Sequence, residues 1–568
     1  MVAYAHTCRF NLRRLLCVCA LLLTACARTP TTIFTNADIL TMNEAAPTAE
    51  ALAIKGERII AVGDLEQVKA LAGKNAIVRD LHGKTILPGL IDAHGHFGAG
   101  SVVTSFADLS PPPAGPVRNL GDLVDALKSW RAAHPRAPMI IGWGYDDSLL
   151  TERRHPTRDD LDKISAKVPI LLLHTSLHLV SCNTPCLKAA GITADTPDPA
   201  GGVIRRWPGS HEPNGVLEEK AIMPAMALIP KPSLRQFAKA VKANQMRYAS
   251  YGITTAQDGA ASPEVIKGLK ALAMLGQLKI DVVAYPLVSA PGGFDKTLPY
   301  SHDYKKHFRI GGIKLVLDGS PQGKTAWLTK PYYVVPKDMD ENYKGYASMK
   351  TRDVDQIIRQ AFAQNVQLLA HANGDAAADQ MLTAIAQANT LEGPADRRPV
   401  MIHAQTVRPD QIALMKTENV IPSYFVTHTF YWGDWHRDSV FGPRRAARIS
   451  PLKSTLDMGV PFTLHNDSPV VPPNMMMLVW SAVNRTTRSG KTLGPEERIT
   501  PMDALRAITI NAAYQYFEED NKGSLEVGKR ADITILSANP TKVPPEEIKE
   551  IHVLETIKDG KTIFASHG

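Results

Sequence analysis

Polar side chains stand at the ends of several apolar runs of this sequence, and their types are those that bind metal ions. They are His94 and His96 in LIDAHGH (90–96), Lys314 in GIKLVLD (312–318), His371 in VQLLAHA (366–372), His403 in PVMIHAQ (399–405) and Asp467 in VPFTLHND (460–467). Neutral imidazoles and a carboxylate are ligands for Zn²⁺ and similar divalent ions. A protonated lysine is a poor ligand, but reaction with CO₂ would give a carbamate that bridges two metals. The pattern predicts a site for one or two divalent ions, with zinc as the expected metal.

Each of these residues also has an ordinary structural explanation. A single strand histidine is more often a hydrogen-bonded core residue than a ligand. Lys314 could extend its amine past a strand end, and Asp467 could cap a following helix. An ionised aspartate and a lysine buried without a metal would, however, carry a heavy desolvation cost. The presence of all six residues at run ends therefore favours the metal site.

The elements that must position these residues are apolar runs alternating with helical patterns. Eight candidate strands are 90–96, 252–258, 280–286, 312–318, 366–372, 399–405, 420–425 and 460–467, and Met381, Ile385 and Ala388 indicate a helix over 375–388. Eight strands alternating with helices predict an α/β fold, a closed parallel (β/α)₈ TIM barrel. Side chains at the C-terminal strand ends of such a barrel converge, and His94 and His96, two residues apart, would point the same way.

The two chain ends differ from this middle part. Residues 33–88 and 520–566 read as short strands and turns, with a hairpin in ALAIKGERIIAVG around Lys55 and Gly56. We expect them to form one small composite β-domain, with the barrel over 89–519. The stretch from about 98 to 240 is too long for one strand-to-strand link, so we predict an insertion after the first barrel strand, over the barrel mouth. Alternatively, strands of this stretch could belong to the barrel itself.

Several segments resemble the metal-dependent amidohydrolase superfamily, in its amidohydrolase-3 (YtcJ-like) branch. They are LPGLIDAHGHF, IKLVLDGSPQGKTAWL, LLAHANGD, MIHAQ, TLHNDSPV and, near the C-terminus, GSLEVGKRADITIL. The resemblance covers roughly residues 33–566. It implies a distorted barrel with a β-sandwich made from both chain ends. It also implies that His94, His96, His371 and His403 are metal ligands, that Asp467 is a ligand and the general base, and that Lys314 is a carbamylated bridge.

The resemblance implies a hydrolase that cleaves a carbon–nitrogen amide bond, other than a peptide bond, by metal-activated hydroxide. Asp467 would take the proton of the attacking water and deliver it to the leaving amine. The same ligands would serve an esterase, a lactonase or a phosphotriesterase, and a binding lipoprotein without catalysis is a further alternative. The expected partner is a small-molecule substrate.

Four other residues are candidates for substrate contact. His178 resembles a position near the substrate in this branch, and Asp318 shares a strand face with Lys314. Trp143 lies in the insertion, and Trp432 follows the seventh strand, so both could line an apolar or aromatic pocket. The alternatives are packing for His178, turn capping for Asp318, and the core of the insertion for the two tryptophans.

The first 26 residues have the composition of a secretory leader. Arg9, Arg13 and Arg14 precede an apolar run, and Leu23-Thr24-Ala25-Cys26 resembles a bacterial lipobox. We expect a signal peptide over 1–25 and an exported lipoprotein, periplasmic or at the cell surface, that meets the membrane only through a lipid on Cys26. A plain signal peptide is the alternative. Without those three arginines the net charge of +8 falls to a mild +5.

The 568-residue chain has 44% hydrophobic residues, an ordinary globular composition that excludes fibrous or wholly disordered classes. It shows no basic tract interleaved with aromatic residues, so nucleic acid is not a favoured partner. A homo-oligomer is left open. Of six cysteines only Cys182 and Cys186 lie beyond the leader and Cys26. Their spacing puts them on one face of a helix if that stretch is helical, where a disulfide would be strained.

Overall fold

Nine parallel strands form the centre of the molecule. The computed structural model describes residues 30–336 and 339–566, so the predicted signal peptide and Cys26 lie outside the described residues. The central strands are Leu90–Ile91, Ile253–Ala261, Asp281–Pro286, Phe308–Ile310, Gly312–Val316, Gln367–Ala372, Val400–His403, Ile421–Tyr424 and Thr463–Leu464. All eight candidate strands of the sequence therefore contain an observed strand, and the short strand Phe308–Ile310 is additional.

Hydrogen bonds divide the central strands into two parallel sheets, which backbone contacts link at both sides. One sheet holds the first four strands and the other holds the last five. A parallel bridge joins Leu287 to Lys314. On the other side, Asp467 N donates to His94 O at 3.2 Å and His96 N donates to Ser468 O at 2.8 Å. Because the strands are parallel, their C-terminal ends share one end of the set.

The first and the last central strands are much shorter than the sequence predicts, with two residues each. The first ends at Ile91 and the last at Leu464, so His94, His96 and Asp467 lie in the segments that follow these strands. The two side chains were predicted to point the same way because residues two apart on a strand do so. That reason is wrong, because neither histidine lies on the strand. Their rings do lie together, with centroids 5.2 Å apart.

Helices surround the central strands and pack their apolar faces against them. Helix Asp375–Glu392 buries Met381, Ile385 and Ala388 in this core, as their spacing predicted. The helices that follow or flank the central strands are Phe97–Val103, Leu234–Ser250, Pro263–Met274, Thr351–Phe362, Asp375–Glu392, Pro409–Thr417, His428–Trp435, Gly442–Ala446, Leu452–Asp457, Met475–Asn484, Pro501–Ala507 and Ile510–Gln515, with a π-helix at His436–Val440 and 3₁₀ turns at Pro291–Gly293 and Pro495–Glu497.

The stretch after the first central strand forms its own six-stranded sheet. Its strands are Ala107–Asp108, Ile140–Tyr145, Ile170–His174, Leu179–Cys182, Gly202–Arg206 and Pro213–Glu219, and its helices are Leu120–Ala133, Arg158–Asp162, Thr184–Ala189 and Met223–Met226, with a 3₁₀ turn at Lys220–Ile222. These strands pair with one another and not with the central set among the described residues. The alternative that they belong to the barrel is therefore wrong.

The two cysteines beyond the leader lie in this inserted segment. Cys182 ends a strand and Cys186 lies in the next helix, so the prediction that they could share one helix face is wrong. Both are free thiols and both are buried, and burial raises the pKa of Cys182 above its ordinary value.

The two ends of the described chain join in one eight-stranded sheet. It contains Thr31–Leu40, Thr48–Ala49, Ala51–Lys55, Arg58–Gly63 and Ile77–Pro88 from the N-terminal part, and Ile533–Leu536, Val553–Lys558 and Lys561–Ala565 from the C-terminal part. The predicted hairpin is present as the antiparallel pair Ala51–Lys55 and Arg58–Gly63. Helix Leu65–Ala72 and the 3₁₀ turn Pro545–Glu550 complete this region. No helix among the described residues is long and apolar enough to span a membrane.

A buried ion cluster fastens this end sheet to the central strands. Asp281 begins a central strand, and its Oδ2 lies 2.5 Å from Lys522 Nζ and 2.9 Å from Lys558 Nζ, the latter on a strand of the end sheet. Lys558 Nζ also lies 3.0 Å from Asp532 Oδ2. Burial by itself raises the pKa of Asp281, but the attraction of the two lysines outweighs it and holds this pKa well below its ordinary value.

We expect the substitution Asp281→Asn to destabilise the fold, because it leaves two buried lysine charges without their shared carboxylate. The expected cost is about 3 kcal/mol, measured as a lower Tm and a lower denaturant midpoint. Asp520→Asn makes the same chemical change at an exposed position and serves as the control. Equal unfolding temperatures for the two variants would contradict a role for this cluster.

Candidate metal centre

Asp467, His94 and His96 meet at the C-terminal end of the central strands. Asp467 Oδ1 lies 3.4 Å from His94 Nε2 and 3.2 Å from His96 Nε2. The ligand atoms of the three residues all lie within 4.8 Å of one another. Asp467 Oδ1 is buried and has no hydrogen-bond partner in the described part of the chain. A buried carboxylate oxygen without a hydrogen bond is costly, and a cation held between it and the two imidazoles satisfies it.

Lys314, His371 and His403 lie beside this trio. Lys314 Nζ is 3.3 Å from His94 Nε2. The ring of His403 has its centroid 4.5 Å from that of His371 and 5.8 Å from that of His94. The structure thus brings together all six residues that the sequence singled out as ligands. Imidazole, carboxylate and a lysine that can form a carbamate are a donor set that fits a divalent ion such as zinc.

Burial sets the charge of the cluster. It lowers the pKa of His94, His371 and His403 well below the ordinary histidine value. It also lowers the pKa of Lys314 to about 7. The imidazoles of His94, His371 and His403 are therefore neutral near pH 7, and each has a lone pair to offer a metal ion.

A glutamine fixes the direction in which His94 offers its lone pair. Gln257 Oε1 lies 2.5 Å from His94 Nδ1, while Gln257 Nε2 donates to Ala93 O and to Tyr516 Oη, both at 2.8 Å. Because the amide NH₂ is already committed, Oε1 must accept from His94 Nδ1–H. Nε2 of His94 is then left with its lone pair on the side of Asp467. A Cβ at position 259 would lie 2.3 Å from His94 Cε1, so only glycine leaves room for this ring.

Two of the ligand candidates have a left-handed backbone. His403 has φ 74° and Asp467 has φ 54°. Residues other than glycine rarely adopt this conformation, and where it occurs it clusters at functional sites. Here it turns each side chain off the end of its strand and toward the cluster.

Asp318 lies next to the cluster but is bound to the backbone. It accepts hydrogen bonds from the N–H groups of Trp327 and Asn373 at 3.0 Å and of Gly374 at 2.8 Å. Its Oδ1 is 3.5 Å from His371 Nε2. Burial raises the pKa of Asp318 to about 7 although these donors lower it. Asp318 therefore holds the backbone around Asn373 and Gly374, beside His371, rather than capping its own Asp-Gly turn as the alternative expected.

His178 reaches the cluster from the inserted segment. Its ring centroid is 4.8 Å from that of His371, and its Nδ1 lies 2.8 Å from Glu219 Oε2. Glu219 is buried, has φ 48°, and has an Oε1 without a hydrogen-bond partner. Burial lowers the pKa of His178, but the attraction of Glu219 outweighs it and the pKa is raised. His178 is therefore held by Glu219 through Nδ1 while its ring packs against that of His371.

The two tryptophans have different surroundings. Trp143 is buried in the apolar core of the inserted sheet, with neighbours such as Ile141 and Leu171, so the packing alternative describes it. Trp432 packs with Phe425, Val470 and Val471. The Phe425 ring lies between it and His403, with centroids 6.0 Å from each.

A second group of metal-type residues lies where the insertion meets the central part. Asp146, Asp147 and His174 are close enough to share an ion. The atoms that could bind an ion already have hydrogen-bond partners, however. Asp147 Oδ1 lies 3.1 Å from His174 Nε2, and Asp146 Oδ2 accepts a hydrogen bond from Trp432 Nε1 at 2.5 Å. This group therefore links the inserted segment to the helix His428–Trp435.

Three residues of the site were missed in the sequence. Gln257 and Glu219 carry no local signal, because only the fold places them beside His94 and His178. His465 stands in the segment TLHNDSPV that pointed to Asp467, and its ring centroid is 5.1 Å from that of His403 and 5.2 Å from that of His94. Its place two residues before Asp467 was a usable signal.

Comparison with known proteins agrees with this geometry. The amidohydrolase family model matches residues 78–564. The chain is 26% identical over 538 residues to the N-substituted formamide deformylase of Arthrobacter pascens, covering 92% of this chain and 96% of that protein. It is 25% identical over 546 residues to YtcJ of Bacillus subtilis, covering 93% and 98%.

The fold is also similar to that of a solved protein. The crystal structure of an uncharacterized metal-dependent hydrolase from Pyrococcus horikoshii superposes with a TM-score of 0.71 at 24% identity, covering 91% of this chain and 99% of that one. Together, the family match and the two relatives show that the chain belongs to the amidohydrolase family, in its amidohydrolase-3 branch, and is a hydrolase of carbon–nitrogen bonds other than peptide bonds.

Proposed function

We propose that this protein hydrolyses the amide bond of a small, apolar or aromatic substrate at a centre of one or two zinc ions. The proposal includes a distorted (β/α)₈ barrel over 89–519, an insertion at about 98–240 and a composite β-sandwich domain from 33–88 and 520–566. The observation that carries it is Asp467 Oδ1, buried and unpaired within 3.4 Å of two imidazole nitrogens.

Each residue of the centre has a task in this reaction. A bound divalent ion would supply Lewis-acid polarisation of the substrate carbonyl and acidify a water molecule. His94, His96, His371 and His403 would hold the ion. The Asp467 carboxylate takes a proton from the attacking water and returns it to the leaving nitrogen, which is a poor leaving group without that proton.

Lys314 is proposed as a bridging ligand in carbamate form. Its amine is buried and lies 3.3 Å from His94 Nε2. Among the described residues it forms no ion pair with a carboxylate. A cationic amine there would repel a metal ion, whereas a carbamate carries a negative charge and two oxygen ligands.

The side chains beside the centre favour an apolar substrate. Phe425, Trp432, Val470 and Val471 form one apolar cluster next to His403. His178, held by Glu219, lies on the opposite side of His371 and is the polar contact we assign to the substrate. The similarity to an N-substituted formamide deformylase makes formamides with apolar substituents the first compounds to examine.

We also propose that the protein is exported and carries a lipid on Cys26. The basic leader and Leu23-Thr24-Ala25-Cys26 support this proposal. Incorporation of labelled fatty acid that is abolished by Cys26→Ser is the measurement that decides it.

Purified protein is expected to contain one or two divalent ions per chain and to lose activity on chelation. Zinc should restore activity, and restoration should be weaker in CO₂-free buffer because the Lys314 carbamate cannot form. His96→Asn should lower the metal content, whereas His552→Asn, at an exposed position, should not. Full activity of metal-free protein would refute the proposal.

Asp467→Asn should lower turnover by about 100- to 10,000-fold, because an amide cannot carry the proton. Asparagine tolerates a left-handed backbone, so the local fold should persist. Metal content, measured on the same sample, should fall much less than turnover. Unchanged turnover would exclude Asp467 as the proton carrier.

A panel of amides, esters, lactones and phosphotriesters separates this function from the other hydrolases that the ligand set allows. We expect the highest kcat/KM for amides, among them N-substituted formamides, with aromatic or alkyl substituents, and lower values for matched compounds with charged substituents. Hydrolysis of esters or phosphotriesters with no amide turned over would contradict the proposal.

A further inference from the structure

His465 is a buried histidine beside the metal centre for which the reaction above has no use. It follows the last central strand and is 0% exposed. Its ring touches the rings of two proposed ligands, His94 and His403. A polar ring in such a place must either hydrogen-bond or bear a desolvation cost.

Both nitrogens of His465 have partners. Its Nδ1 lies 2.8 Å from Ser423 Oγ, and its Nε2 lies 3.2 Å from His403 Nδ1. Ser423 is buried on the strand Ile421–Tyr424, between the strands that end at His403 and Leu464. The three side chains therefore form one hydrogen-bonded chain across three neighbouring strands.

The positions of the protons follow from the contact between the two imidazoles. One nitrogen must carry the hydrogen and the other the lone pair. If His465 donated from Nε2, His403 would accept at Nδ1, would carry its own hydrogen on Nε2, and could not ligate a metal there. If His403 donates from Nδ1, then Nε2 of His403 is free to ligate, and His465 carries its hydrogen on Nδ1, where Ser423 Oγ accepts it.

We infer that His465 and Ser423 are positioning residues that keep the proton of His403 on Nδ1 and so present its Nε2 lone pair to the metal ion. The inference rests on the proposed function, in which His403 is a ligand. A hydrogen-bond acceptor on the far nitrogen of a ligating imidazole fixes its tautomer, orients its ring and raises its basicity. The segment His465-Asn466-Asp467 thus supplies the proton carrier and the support of a ligand from three consecutive positions.

Variants that keep or remove the acceptor test this inference. His465→Leu removes it at similar volume, His465→Gln keeps an oxygen able to accept from His403 Nδ1, and Ser423→Ala removes the last partner of the chain. The affinity for Zn²⁺ is measured by competition with a chromogenic chelator, and the visible absorption spectrum of the Co²⁺-loaded protein reports the ligand geometry. His436→Leu, the same change at another buried histidine, is the control.

We expect His465→Leu to weaken Zn²⁺ binding by about 10- to 100-fold and to change the Co²⁺ spectrum. His465→Gln should recover most of the affinity, Ser423→Ala should fall between these two variants, and His436→Leu should bind as the unmodified protein does. If His465→Leu does not fold, the affinities of His465→Gln and Ser423→Ala still rank the importance of the acceptor.

Two results would overturn the inference while leaving the metal centre intact. One is a folded His465→Leu protein with unchanged affinity and spectrum. The other is a His465→Gln protein whose Zn²⁺ affinity contradicts the expected order. If His465→Leu does not fold, the Ser423→Ala protein is tested in its place, and a Zn²⁺ affinity that contradicts the expected order overturns the inference in the same way. Failure of the unmodified protein to bind Zn²⁺ would instead overturn the proposed function, and this inference with it.

Discussion

A buried carboxylate faces two imidazoles without a hydrogen bond at the C-terminal end of the central strands, and the surrounding fold must hold these three groups together. Asp467 Oδ1 is in this position between His94 and His96. Desolvation penalises the charge of a buried carboxylate, and burial lowers the pKa of His94, so this neutral ring does not balance that charge. A divalent cation satisfies the oxygen and the ring lone pairs at the same time. The cluster is therefore better suited to holding an ion than to stabilising the fold by itself.

The surrounding scaffold keeps these groups in place although they come from distant parts of the chain. Hydrogen bonds between the backbones of Asp467 and His94, and of His96 and Ser468, join the first and last central strands at the site itself. The ion pairs of Asp281 fasten the end sheet to the central strands away from the site. Gln257 and His465 in turn leave His94 and His403 little freedom to rotate. The backbone hydrogen bonds, the buried ion pairs and the side-chain contacts together keep the candidate ligands close to one another.

The inserted segment explains how a fold of this kind can acquire a particular substrate. It has its own apolar core, in which Trp143 is buried, so it holds its shape independently of the centre. It nevertheless delivers His178 to the side of His371, and its Asp146 accepts a hydrogen bond from Trp432 in helix His428–Trp435. The candidate ligands therefore come from the central strands and the segments that follow them, whereas the inserted segment places His178 beside them.

Local patterns in the sequence predicted the alternation of strands and helices, an insertion after the first central strand and six candidate ligands. Apolar periodicity is a local property, and histidine or aspartate at the end of an apolar run is unusual enough to be visible without a structure. The pairing of the two chain ends was also expected, because both ends read as short strands and turns that differ from the middle part, and the structure shows it. By contrast, three-dimensional contacts were needed to show that Asp318 binds a backbone segment and that Trp143 belongs to the core of the inserted segment. They were also needed to show that Gln257, Glu219 and His465 lie beside the candidate ligands and His178. These roles depend on contacts between residues far apart in sequence, and no local pattern encodes the distance between two such side chains.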